Sequence, residues 1–171
     1  MTRFAKLLSG GDLRSIGKSN AVIDKIRSQK DFDDLFEYLF HADRIIVMRA
    51  ADAIEKITVN NPKYLSRHKK KVLGLSNVAK DKELKWHLAL LMCRLELDEN
   101  EFAQVWHILT AWARDKNNSR IVRVNSIQGL FDLKSQRNEL EKDLALTLAE
   151  LEKENVPSLN ARMKRLKKVK Q

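Results

Sequence analysis

Glu37 and His41 stand four residues apart, the separation that brings two side chains onto one face of a helix, where they can act as metal ligands. No third ligand accompanies them, so the pair reads as ordinary helix side chains and predicts no metal. Cys93 is the one cysteine and the one candidate thiolate nucleophile, which would need a histidine as its base. His87 lies six residues earlier, on another side of the same helix, so a free thiol in a structural helix is the expectation. Gly17, Lys18 and Ser19 resemble the end of a phosphate-binding loop. The full GxxxxGKS spacing needs a glycine at position 12, which is Asp, and no strand precedes the segment. GxSxG, paired-cysteine and HExxH motifs are missing as well. The residues therefore predict no catalytic group, no cofactor and no metal.

What positions these side chains is a helical chain. A length of 171 residues suffices for a single domain burying about 70% of its unfolded surface, with 43% hydrophobic and 33% charged residues. Five Gly and two Pro leave little material for hairpins, and Leu, Ala, Lys, Arg and Glu, the strong helix formers, outnumber Val and Ile. One cysteine excludes an internal disulfide and suits a reducing compartment. The opening MTRFAKLLSGG lacks a signal-peptide core, and the longest apolar run, LALLMC at 88–93, falls far short of the roughly 20 residues of a membrane span. A cytoplasmic protein with no membrane partner is expected.

The chain repeats itself. At a spacing of 38 residues, Ile46, Leu84 and Val122 coincide, as do Ala50, Leu88 and Ser126; Ala53, Leu91 and Gly129; Ile54, Met92 and Leu130; Ile57, Leu95 and Leu133. At 100° per residue these positions fall within an arc of about 80°, the buried stripe of an amphipathic helix. Asp43, Asp81 and Ser119 precede the three stripes at the same spacing, each a residue suited to accept hydrogen bonds at a helix N-cap. Each striped helix follows another: 31–41 with Phe32, Leu35, Phe36 and Leu39; 62–79 with Leu65, Val72, Leu73 and Ser76; 98–114 with Phe102, Val105, Trp106, Leu109 and Trp112. A last helix, 136–154, carries Leu140, Leu144, Leu148 and Leu151. The expected division of a single domain 1–171 is an irregular leader 1–19, a capping helix 20–28, repeats 31–58, 62–96 and 98–134, and a degenerate final repeat with a basic tail, 136–171. Paired helices at such a period stack into an α-solenoid.

IIVMRAADAIEKI (45–57) resembles the second helix of a HEAT repeat. That motif carries Arg or Lys directly after its first aliphatic residue; Lys85 and Arg123 fit, and Val47 departs from it. GGDLRSIGKSN, VMRAADAIEKIT, NPKYL, ELKWHLALLMCRLEL and SLNARMKRLKKV are similar to a family of small bacterial HEAT-repeat proteins over nearly the whole chain. The resemblance implies an all-α, short right-handed α-α superhelix of about 3–4 helix pairs and implies no chemistry.

In HEAT repeats the second helices line the concave side, so the residues opposite the stripe would form the binding surface. These are Met48, Asp52 and Glu55 in the first repeat, Trp86, Leu90 and Cys93 in the second, and Val124, Gln128 and Phe131 in the third. Arg49, His87, Arg94 and Asn125 border them. Large apolar groups in that position predict either a groove for a protein or peptide, with Trp86 and Phe131 as anchors, or burial by strong curvature of the stack. Nucleic acid is the alternative partner, since the net charge is +10. The excess concentrates in the tail, where Arg162, Lys164, Arg165, Lys167, Lys168 and Lys170 occur after residue 155 without an acid. HEAT-like alkylpurine DNA glycosylases offer a relation in fold, with Trp86, Asp52, Arg49 and Arg94 as the corresponding candidates. Against them, the predicted groove has mixed charge, and Arg67, Lys70 and Lys71 lie on a first helix.

Overall fold

The computed structural model describes residues 4–11 and 19–168. Among them the chain forms ten α-helices and no strand, as a sequence rich in helix formers and poor in Gly and Pro requires. The helices are α1 (Ala5–Leu8), α2 (Ser19–Ile23), α3 (Gln29–Phe36), α4 (Arg44–Asn60), α5 (Lys69–Val78), α6 (Lys82–Leu91), α7 (Glu99–Arg114), α8 (Arg120–Lys134), α9 (Glu141–Lys153) and α10 (Pro157–Lys168). They divide into two compact units, Met1–Lys70 and Lys71–Gln171. None of these helices is long and apolar enough to cross a membrane.

In the first unit α4 is the central element. Its stripe residues Ile46, Ala50, Ala53, Ile54 and Ile57 are all buried, and Asp43 caps it by accepting a 2.8 Å hydrogen bond from the Ile45 N–H. Helix α3 and the 3₁₀ turn Glu37–Phe40 pack against it, burying Phe32, Leu35, Phe36 and Leu39. Helix α3 begins at Gln29, two residues before the expected start, because Ser28 Oγ accepts from the Asp31 N–H. Pro62 opens the next segment at a first-turn position, but Pro62–His68 winds as 3₁₀.

The expected irregular leader contains a helix. Phe4 and Leu8, four residues apart on and beside α1, are fully buried, and α1 and α2 both pack on α4. One helical turn is too short to show a period in sequence; burial of two large side chains, worth roughly 1.5–3 kcal/mol each, holds it. The capping helix is α2, which ends at Ile23 rather than Ser28. Gly17 and Lys18, with the rest of 12–18, lie outside the described residues, as do Val169 and Lys170.

In the second unit α8 is central, packed against α6, α7, α9 and α10. Its stripe (Val122, Ser126, Gly129, Leu130, Leu133) is buried, as is that of α6 with its extension (Leu84, Leu88, Leu91, Met92, Leu95). Leu95 follows a final 3₁₀ turn, Met92–Arg94. Ser119 caps α8 by accepting from Val122 N–H at 3.4 Å; Asp81 occupies the cap position of α6, but its side chain makes no cap bond. Helix α7 starts with a reciprocal capping box between Asp98 and Glu101, a device worth about 1 kcal/mol. Trp106 and Trp112 are buried, and Trp106 Nε1 donates to Asp143 Oδ2 on α9 at 2.6 Å.

Helix α6 lies close against α8 at Gly129. A Cβ placed there would meet Cys93 Sγ at 2.7 Å, Ala89 O at 3.0 Å and Leu109 Cδ1 at 3.0 Å. The glycine is required by this approach of two backbones. The basic residues of the repeat make homologous ties: Lys85 Nζ donates to Asn118 Oδ1, just after α7, at 3.1 Å. Arg123, 38 positions on, gives both oxygens of Glu154, at the end of α9, 2.9 Å bonds from Nη2. Its Nε donates to Ala113 O at 2.7 Å. Helices α6 and α8 thus each grip the end of the helix that follows.

Candidate functional site

Of the expected binding surface of the first unit, Met48 is buried and Asp52 and Glu55 are half-exposed. Helices α1 and α2 pack on α4, and Asp52 is engaged by Ser19 Oγ of α2 and by Lys56 Nζ, each at 2.8 Å. Arg49, expected at a groove border, is 2% exposed, and its Nη1 donates to the carbonyls of Leu8 and Ser9 at 2.9 Å. It is the anchor of α1. A guanidinium suits this task, since two carbonyls at the end of a helix need donors. Arg49 and Asp52 are therefore tied to their own unit's framework.

The second unit keeps an open strip. Helix α8 buries about 200° of its circumference, reckoned at 100° per residue, because α6, α7 and α10 surround it. Phe131 falls at the edge of the buried arc and is only 6% exposed, so it floors a cleft under α9 instead of projecting as an anchor. The cleft holds about 380 Å³ and is lined also by Leu144, Ala145, Leu148 and Ala149. His87 is buried too, with its ring edge-on to Trp86 at 5.5 Å. Cys93 is wedged between helices: Sγ donates to Ala89 O at 3.3 Å and abuts Gly129. Burial pushes its thiol far above the ordinary value, with the charge of Asp132 adding to the effect. A thiol held protonated is a poor nucleophile.

Half-exposed are Trp86 and Leu90 on α6, with Cys93 just after it, and Val124 and Gln128 on α8 at the positions equivalent to Trp86 and Leu90. The two helices are joined by Asn125 Nδ2, which donates to Trp86 O at 2.9 Å. Arg94 and Asp132 continue the two rows, and Arg162 of α10 donates to Gln128 Oε1 at 2.7 Å. The charges of Arg94 and Arg162 both act on Asp132. The strip is thus apolar at one end and carries both signs of charge at the other.

The tail cations divide in the same way. Arg162 is half-buried beside α8, while Lys164, Arg165, Lys167 and Lys168 are exposed, because Leu159 and Met163 turn the opposite face of α10 into the core. Glu37 and His41 find no third ligand, and no group of three His, Cys, Asp or Glu side chains able to hold a metal occurs among the described residues.

Sequence reasoning passed over the pair formed by His68 and Asp33. His68 is buried, its ring stacked on Phe36 at 3.9 Å and its Nε2 2.7 Å from Asp33 Oδ1. Gln29 Nε2 donates to the same oxygen at 2.7 Å. Although partial burial raises the Asp33 carboxyl, the hydrogen bonds from Gln29 and His68 and the nearby Arg67 charge prevail and hold it below its ordinary value. The two residues lie 35 positions apart, and no local spacing signals them. No family model, curated protein or solved structure matches the chain.

Proposed function

We propose that the protein is a non-enzymatic helical-repeat scaffold, a short HEAT-like right-handed superhelix, that holds a protein or peptide partner on the α6–α8 strip. One observation carries the proposal: Trp86, Leu90 and Val124 stay half-exposed at matching positions of two packed helices, with Ile121, 44% exposed, one turn before Val124 on α8. Covering such groups is worth roughly 1.5–3 kcal/mol for a fully buried side chain, and aromatic residues bordered by polar groups are the usual anchors of protein interfaces. Arg94, Asp132 and Arg162 would then fix the register of the bound segment through paired charges. The ties made by Lys85 and Arg123, which stand 38 residues apart, support the repeat architecture, since each joins its helix to the end of the helix that follows.

The reading is tested by placing a photo-crosslinking phenylalanine at Gln128, in the strip, and in a second protein at Leu146, 65% exposed on α9. A discrete adduct from Gln128 that is lost in the Leu90→Glu background supports it. Equal adducts from both positions, or an adduct indifferent to Leu90→Glu, overturn it.

A further inference from the structure

The last helix presents a second surface, separate from the α6–α8 strip. Asn160, Lys164, Lys167 and Lys168 stand at i, i+4, i+7 and i+8 of α10, one face of a helix. Together with Glu152 and Asn155 at the end of α9 they line an open notch of about 540 Å³. Asn155 adopts a left-handed backbone, φ 52°, a conformation Asn tolerates better than most residues, and this lets the chain reverse so that α10 returns along α9. Glu152 is the one carboxylate in the lining, and Lys167 Nζ holds it at 2.6 Å. Two ammonium groups, Lys164 and Lys168, are therefore in excess there, with Arg165 beside them. Four residues along a helix is about 6 Å, so these two charges can track neighbouring phosphates of one strand.

A second observation points to a ligand. The Asn160 side-chain Oδ1 is shielded from water and finds no hydrogen-bond partner among the described residues. A buried amide oxygen without a donor is uncommon in folded proteins; rotation of the amide lets Asn160 offer a donor or an acceptor to a group seated in the notch. A membrane surface fits poorly, because Leu159 and Met163, the apolar side of α10, are already in the core and cannot insert.

We propose that this notch binds the phosphodiester backbone of a single-stranded nucleic acid, Lys164 and Lys168 taking phosphates and the Asn160 amide taking a sugar or phosphate oxygen. No aromatic side chain lines the notch, so stacking readout is not available and binding is independent of sequence.

The test titrates the full-length protein with a fluorescein-labelled mixed-sequence single-stranded 12-mer RNA by anisotropy, from 50 to 200 mM salt. Two phosphate contacts give a log–log slope of about −1.4, or roughly 7-fold weaker binding across that range. Lys164→Gln/Lys167→Gln/Lys168→Gln should weaken binding at least tenfold at 50 mM salt and flatten the slope by about 1.4. The charge-matched control Lys80→Gln/Lys82→Gln/Lys116→Gln should bind as wild type. Formaldehyde crosslinking of the wild type, mapped by mass spectrometry, should place the adducts on α10, which keeps the proposal testable even if the triple variant unfolds. No binding at 50 mM salt, an equal loss in both triple variants, crosslinks elsewhere, or displacement of the RNA by an equal charge of polyglutamate would overturn it, the last in favour of an acidic protein ligand.

Discussion

Gly129→Ala adds a single methyl where α6 and α8 meet, and its consequence follows from three distances. The new Cβ would stand 2.7 Å from Cys93 Sγ, 3.0 Å from the Ala89 carbonyl oxygen and 3.0 Å from Leu109 Cδ1. None of these can withdraw freely: Ala89 O is backbone, the Cys93 thiol is packed between helices, and Leu109 is fully buried. Overpacking a core costs about 1–3 kcal/mol, while exchanging Gly for Ala in a helix returns up to about 1 kcal/mol. The clash wins, leaving a net loss of about 1–2 kcal/mol, or roughly 2–8 °C in melting temperature for a chain of this size. Gly74 provides the internal contrast. It lies in α5 with nothing within 4 Å of its virtual Cβ, so Gly74→Ala should raise the stability by about 0.5–1 kcal/mol. Repeating Gly129→Ala in a Cys93→Ala background removes the nearest obstacle and should recover at least about 0.5 kcal/mol of coupling energy. Thermal and urea melts of the five proteins decide the matter. Stabilisation by Gly129→Ala equal to that by Gly74→Ala would refute the close α6–α8 contact and the helical phase built on it.

Arg123→Met should destabilise by about 3 kcal/mol in urea melts, since removing one partner of a buried ion pair strands the other; Glu154 would keep an unpaired carboxylate and Ala113 O would lose its donor. Asp33 should make the first unit acid-labile. Its folded pKa lies below the ordinary 3.8, so the unfolded chain takes up its proton first. That contribution to stability is complete above the unfolded value and disappears as pH falls through the lower, folded one. Asp33→Asn should correspondingly flatten the acid limb of a melting-temperature profile, and an unchanged limb would count against the His68–Asp33 contact. Cys93 should resist iodoacetamide at pH 8 in the native protein and react promptly in 6 M guanidinium, because burial keeps the thiol protonated; native labelling at the rate of a free thiol would place it on an open surface.

The three stripes were legible because a helix must bury one face, and spacing alone identifies that face. The neighbours of the other faces were not legible. Arg49 looked like a surface arginine until α1, one turn long and invisible to periodicity, delivered two carbonyls to it. Phe131 has the same helical phase as Cys93, yet its burial is decided by α9 and α10, whose packing depends on contacts 13 or more positions away. The Glu37–His41 spacing was readable and led to no site, whereas His68–Asp33, joined across 35 residues, carried no local signal. The 3₁₀ turns at Pro62–His68 and Met92–Arg94 also escaped, since their residues keep the apolar spacing of an α-helix while the winding changes.

Trp86→Ala, measured for both stability and partner capture, tests the scaffold reading most directly. A half-exposed anchor should lose only about 1–2 kcal/mol of folding stability, below the roughly 3–5 kcal/mol of a fully buried tryptophan. The Gln128 crosslink to the partner should meanwhile fall about 30-fold in apparent affinity, the equivalent of 2 kcal/mol at an interface hot spot. A loss of stability at the buried level together with unchanged capture would make Trp86 a core residue and contradict the account.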